Sequence, residues 1–158
     1  MSVHHGVAEA RSKLLHRELT ENIIGAAIEV HRELGPGLLE SAFEEGLCHE
    51  LRLHGLSFQR QVPLPVKYKN INLDCGYRIE LIVEDAIILE QKSVEHILPV
   101  HEAQLLTYLK LTGKRVGLIF NFFTSTLVRG GIVRKLLQVP LLSVSQCLRG
   151  ELMAEVAN

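Results

Sequence analysis

The segment Ile87-Ile88-Leu89-Glu90-Gln91-Lys92 constrains the fold more than any other part of the chain. Consecutive apolar residues imply a strand covered on both faces, the habit of an inner strand of an α/β sheet. An acid and a base then follow at i and i+2, which puts them on one face of that strand. Charge at the end of a covered strand is costly unless it is paired or holds a metal. This segment alone leaves open a structural Glu90–Lys92 pair and a catalytic site.

The rest of the chain supplies helices and strands around that segment. Apolar residues at helical spacing (Ile23, Ile24, Ala27, Ile28, Val30, His31, Leu34) predict a helix over Leu14–Leu34, capped by Thr20 with Glu21 or begun near Ser12 and stopped by Gly35-Pro36-Gly37. A second helix is expected from Leu39 to His54, with Leu39, Phe43, Leu47, Glu50 and Leu51 on one side and Gly55 as its C-terminal cap. The period then shortens. Phe58–Val62 and Pro65–Tyr68 read as short strands, the second held to an edge by its prolines, with a turn at Lys69-Asn70. Leu73–Val83 and Ala86–Lys92 read as two more strands joined at Glu84-Asp85. A helix over Val100–Leu111, stopped by Gly113, precedes a strand over Val116–Asn121 and a weaker one over Leu127–Val133. The tail, Leu141–Val156, is compatible with a last helix. The order ααββββαβ predicts an α/β fold, a mixed central sheet flanked by helices.

Composition excludes several classes. With 158 residues and 47% hydrophobic content, one domain spanning 1–158 with a sizeable core is expected. A net charge of −1 gives no global basic field, so nucleic-acid binding would need a local patch. Cys48, Cys75 and Cys147 form no C-x-x-C pair and suit a reducing compartment, where each is expected to be a small buried hydrophobe. No apolar run is long enough to span a membrane, and nothing resembles a signal peptide. A cytoplasmic location and no membrane partner are therefore expected.

Glu80 changes the balance at the central segment, because it is a second acid among apolar neighbours on the preceding strand. Register gives a sharp test. A two-residue turn at Glu84-Asp85 would oppose Glu80 to Leu89 and send the two glutamates to opposite faces. A three-residue loop or a bulge would oppose Glu80 to Glu90. Two converging carboxylates suit a hard cation such as Mg²⁺ or Mn²⁺, with the Gln91 carbonyl and waters completing its shell. Lys92 beside them would position the attacking water or stabilise phosphate charge.

Gln104 and Tyr108, at i and i+4, share a face of the following helix, with His101 one turn earlier as a polar flank. Glu40 opens the second helix, where the helix dipole already favours an acid. His101-Glu102 lacks the second histidine of a zincin, since Leu105 stands there, and no P-loop, G-x-S-x-G or dinucleotide-binding glycine pattern occurs.

The run Gly37-Leu38-Leu39-Glu40-Ser41-Ala42-Phe43 resembles the signature of the GxxExxY proteins, a PD-(D/E)XK nuclease-like family. Leu34-Gly35-Pro36-Gly37, Gln61-Val62-Pro63-Leu64, Gly76-Tyr77-Arg78 and Leu98-Pro99-Val100-His101-Glu102-Ala103-Gln104 strengthen the resemblance, which spans Leu19–Leu137 and leaves 138–158 as an extension. It implies a restriction-endonuclease-like core. The acidic strand position falls on Glu80, the E-x-K on Glu90 and Lys92, and the early helical acid on Glu40. Gln104 and Tyr108 match the Q-x-x-x-Y element of RecB-like nucleases, which cut DNA with Mg²⁺ or Mn²⁺. Three positions depart from the family pattern: Phe43 stands for Tyr, Gln91 for an apolar residue, and Glu80 for Asp.

The expected activity is metal-dependent hydrolysis of DNA phosphodiesters. Glu80 and Glu90 would hold the metal, with Glu40 and Gln91 contributing, Lys92 would assist the water, and Gln104 and Tyr108 would orient Lys92 or a phosphate. Lys67, Lys69, Arg78, Lys110, Lys114 and Arg115 are candidate phosphate contacts. The alternative is a catalytically inactive nuclease-fold module that binds nucleic acid or a partner protein. A third reading is a scaffold in which Glu90 and Lys92 form a structural ion pair. A homodimer or a protein partner is compatible with each.

Overall fold

The computed structural model describes residues 16–138. Helices α1 (Arg17–Leu34) and α2 (Glu40–Leu53) are followed by strands β1 (Phe58–Pro63), β2 (Val66–Tyr68), β3 (Ile71–Leu73), β4 (Arg78–Val83) and β5 (Ile87–Lys92). Helix α3 (Pro99–Thr112) and strands β6 (Val116–Asn121) and β7 (Ile132–Leu136) complete the described part. Five strands form one sheet in the order β1-β4-β5-β6-β7, while β2 and β3 pair apart from it. Only β5 and β6 run parallel, joined by the α3 crossover that a parallel pair requires. The architecture is the expected α/β fold, a mixed central sheet flanked by helices.

Side-chain alternation divides the core into two layers. Leu81, Val83, Ile87, Leu89, Val116, Leu118 and Phe120 meet Ile23, Ala27 and Val30 of α1 and Phe43, Leu47 and Leu51 of α2. On the other face Ile82, Ile88 and Ile119 meet Leu105, Tyr108 and Leu109 of α3. The interior position of β5 explains its apolar run: both faces are covered, and Ile87, Ile88 and Leu89 are fully buried. Gly117 has a packing reason, because a Cβ there would lie 2.6 Å from Leu105 Cδ1. Its bare face lets α3 settle onto β6.

Helix ends follow the local chemistry. Gly35 leaves α1 at φ 69°, its N–H bonded to the His31 carbonyl at 2.8 Å. Pro99 occupies the first turn of α3, and Gly113 closes it in the left-handed region. His101 Nδ1 accepts the Leu98 N–H at 3.0 Å, so this histidine caps its helix.

Several sequence expectations need correction. Helix α1 begins at Arg17, and Thr20 is a buried position inside it, not a cap; Ser12 lies outside the described residues. Leu39 precedes α2 and is 78% exposed, whereas Phe43, Leu47 and Leu51 form its buried side. The expected strand over Leu73–Val83 is two strands separated by residues 74–77, where Gly76 turns the chain at φ 67°. The last described strand is Ile132–Leu136: Leu127 is buried in a turn region, and the strand starts after Gly130-Gly131. Cys48 is buried as expected, Cys75 is exposed, and Cys147 lies outside the described residues with the helix considered over Leu141–Val156. Among the described residues no helix is long and apolar enough to cross a membrane.

Candidate active site

The turn between β4 and β5 decides how half-buried Glu80 and buried Glu90 meet. Val83 pairs with Ile87, Ile82 with Ile88 and Leu81 with Leu89, so the loop is the three residues Glu84, Asp85 and Ala86; the ladder ends at Leu81–Leu89, and this register brings Glu80 alongside Glu90. Glu84 and Asp85 both take left-handed conformations at φ 51°, a cost that neighbours offset. Glu84 Oε1 accepts the Ser57 N–H at 2.6 Å, and Lys114 Nζ donates to Asp85 Oδ1 at 2.7 Å. Lys114 is thereby spent on the turn.

A second device acts on the other side of β4. Phe58 and Leu81 pack in the α1–α2 layer, but Val62 and Ile79 pack in the α3 layer, so both strands change the faces they present. The change falls between the pairs Arg60–Leu81 and Val62–Ile79, at Gln61 and Glu80. Gln61 is left-handed at φ 49°. Such local breaks in a ladder re-aim side chains. Here the Glu80 carboxylate turns toward β5 and accepts the Gln91 N–H on Oε2 at 2.6 Å.

Lys92 closes the cluster. Its Nζ lies 3.6 Å from Glu80 Oε1 and 3.6 Å from Glu90 Oε2. Glu90 is only 4% exposed, and its Oε1 has no hydrogen-bond partner. Burial, with the Glu80 charge beside it, pushes the Glu90 carboxyl up to about 8, although Lys92 pulls the other way. Burial also raises Glu80, opposed by Lys92 and the Gln91 N–H. At Lys92 burial works against the charge, but Glu80, Glu90 and Glu40 outweigh it and hold the ammonium above its ordinary range. The group carries surplus carboxylate that one lysine does not satisfy.

The remaining predicted residues surround this cluster unequally. Glu40 is near enough to act on Glu80 and Lys92, yet its Oε1 accepts the Ser93 N–H at 3.0 Å. Gln104 Nε2 donates to the Tyr108 hydroxyl at 2.8 Å, and Tyr108 is raised by burial and by the Glu90 charge. Gln91 points away from Glu90 into the opposite layer, so only its main chain faces the cluster. A groove of about 490 Å³ runs beside Glu80, with Glu40 and Glu44 on one wall, Gln104 and Tyr108 on the other, and Gln61, Tyr77 and Arg78 along it. A larger hollow of about 870 Å³ lies at the hairpin end, lined by Arg17, Leu56 and Glu84, away from these groups.

Sequence reasoning missed Asn121 and Ser93. Asn121 Oδ1 accepts the Val94 N–H at 3.1 Å and its Nδ2 donates to the Val94 carbonyl at 2.7 Å, while Phe122 N–H reaches the Lys92 carbonyl at 2.8 Å. These bonds fix the chain as it leaves Lys92. The one signal in the sequence is a polar residue ending an apolar strand. Phe43 also gains an account: it is fully buried and stacked on Phe122 at 4.3 Å, a setting that suits a plain ring.

The donor set fits a hard divalent cation. The orphaned, buried Glu90 oxygen and the adjacent Glu80 carboxylate are oxygen ligands of the right kind. Among the described residues no three His, Cys, Asp or Glu side chains gather closely enough to hold a metal unaided. Mg²⁺ does not require that, since it commonly takes one or two carboxylates and keeps waters. Against known proteins, the sequence matches the family model for the PD-(D/E)XK nuclease superfamily over residues 17–135. No curated protein and no solved structure matches the chain.

Proposed function

The chain belongs to the PD-(D/E)XK nuclease superfamily, and we propose that it hydrolyses phosphodiester bonds of DNA with Mg²⁺ or Mn²⁺. The observation that carries this reading is a buried glutamate, Glu90, and a half-buried one, Glu80, sharing one lysine at 3.6 Å, with a Glu90 oxygen left over. Glu80 and Glu90 would hold the cation, with the Gln91 carbonyl beside them and Glu40 acting through Ser93 or water. A divalent cation bound there would supply charge neutralisation at the phosphate and a more acidic water. Lys92, 3.6 Å from both carboxylates, would donate to the attacking water or to a phosphate oxygen as charge develops. The Gln104–Tyr108 pair presents one hydroxyl at the groove wall, where it orients Lys92 or a phosphate. The run Gly37-Leu38-Leu39-Glu40-Ser41-Ala42-Phe43 supports assignment to the GxxExxY group within the superfamily. Free Cys48 and Cys75 fit a reducing, cytoplasmic setting.

The test is cleavage of labelled single- and double-stranded DNA in Mg²⁺ or Mn²⁺, with Lys92→Ala and Glu90→Ala as controls. Cutting by the wild type and loss of at least about a hundredfold in both variants is expected. Cutting that survives both substitutions would reject this site. One observation favours a second reading: Glu80 is already engaged by the Gln91 N–H and Lys92, as in a module that binds without cutting. A folded wild type that binds DNA and never cuts it would establish that reading.

A further inference from the structure

The groove beside Glu80 contains one strongly basic group that the fold leaves unused. Its carboxylates are all engaged: Glu44 by Arg60 at 2.9 Å and by Gln61 Nε2 at 3.0 Å, Glu40 by the Ser93 N–H, and Glu80 by Lys92 and the Gln91 N–H. Arg78 lines the same groove, and among the described residues its side chain makes one hydrogen bond, from Nη1 to the Gln61 carbonyl at 3.4 Å. Among the described residues no carboxylate lies within ion-pair distance of Arg78, which is equally true of Arg52, Lys67, Lys69, Lys110, Arg115 and Arg129; what sets Arg78 apart is its place in the lining of this groove. A guanidinium has five N–H donors in a planar fork matched to two phosphate oxygens. Most of that fork remains open here.

The neighbouring residue adds a second recognition element. Tyr77 lines the groove and is 47% exposed, a large ring accessible to a ligand. It also lies close enough to Tyr108 to act on that hydroxyl, so the ring borders the wall formed by Gln104 and Tyr108. The volume of about 490 Å³ is within the range of small-ligand clefts. Exposed aromatic rings beside basic groups hold bases by stacking, and only an unpaired base has a face free for this.

Resting on the nuclease reading above, we infer that this groove is a subsite for one unpaired nucleotide of the DNA strand, its phosphate on Arg78 and its base on Tyr77. The substrate class is then single-stranded or frayed DNA, not intact duplex. The acidic walls make occupancy depend on a divalent cation at the neighbouring glutamates, because phosphate alone would meet Glu40, Glu44 and Glu80.

The experiment measures binding of a short labelled single strand and of the matching duplex by fluorescence anisotropy in Ca²⁺, for wild type, Arg78→Ala, Tyr77→Ala and Tyr77→Phe. Cleavage kinetics in Mg²⁺ and melting temperatures accompany it, and both positions are exposed, so the variants are expected to fold. Arg78→Ala is expected to weaken single-strand binding about tenfold and to lower the salt slope by about 1. Tyr77→Ala is expected to weaken it roughly tenfold, while Tyr77→Phe keeps it. In cleavage, KM rises and kcat holds. Equal losses on duplex and single strand, or none on either, would overturn the subsite. Wild type that cuts, with Arg78→Ala and Tyr77→Ala indistinguishable from it, rejects the subsite alone. Wild type that binds through Arg78 and Tyr77 without cutting rejects the cleavage reading alone.

Discussion

Glu90 and Gln91 are adjacent and both buried, yet their side chains face opposite layers of the sheet. Each is a cost with a different meaning. Burial and the neighbouring Glu80 charge push the Glu90 carboxyl up to about 8 in the folded chain, from an ordinary value of 4.5. The native state therefore binds more protons across that window. Stability of the metal-free protein is expected to fall as pH rises from 4.5 to 8 and to level off above. Glu90→Gln removes that dependence and is expected to melt above wild type at pH 9. Urea unfolding across the pH range checks both, and a stability that rises with pH would refute the assignment. Gln91, 1% exposed, has neither amide atom partnered. Gln91→Leu is expected to gain about 1–3 kcal/mol in the same measurement, because it removes an unsatisfied buried amide.

At the scale of elements, two short backbone features aim the site. The three-residue loop sets the β4–β5 register, and the left-handed Gln61 marks where β1 and β4 exchange faces. The loop residues Glu84 and Asp85 carry no glycine signal, so the sequence could pose the register question without answering it. Helix α3 is placed differently, by Leu105 resting on Gly117. Gly117→Ala is expected to cost about 1–3 kcal/mol through overpacking. It should also lower the cleavage rate, since Gln104 and Tyr108 flank Leu105 on that helix. Denaturant unfolding and rate measurements check it, and Leu105→Val in the same chain should recover part of both losses.

For the whole molecule, metal and fold are linked. A cation that binds only the folded chain adds about 1.4 kcal/mol at ten times its dissociation constant. Because its ligands must be ionised, the stabilisation by Mg²⁺ is expected to be larger at pH 8 than at pH 6, and absent in Glu90→Ala. Chelation should reverse it in a thermal melt. The sheet and three helices span residues 17–136, so a fragment covering 16–138 is expected to melt in one cooperative step. Two separate transitions would contradict the single-domain organisation.

The sequence by itself determined the α/β class, the covered strand Ile87–Lys92, most helix bounds and the residues that could carry chemistry. Those depend on local periodicity, glycine stops and the expense of charge in an apolar run, all of which act over a few neighbouring residues. Only the tertiary structure decided that Glu80 meets Glu90, that Asn121 and Ser93 lock the exit from Lys92, and that Arg78 remains without a carboxylate. Each of these is a long-range pairing. Residues distant in sequence become neighbours through strand register and helix docking, and a one-residue slip in that register would send the two carboxylates to opposite faces.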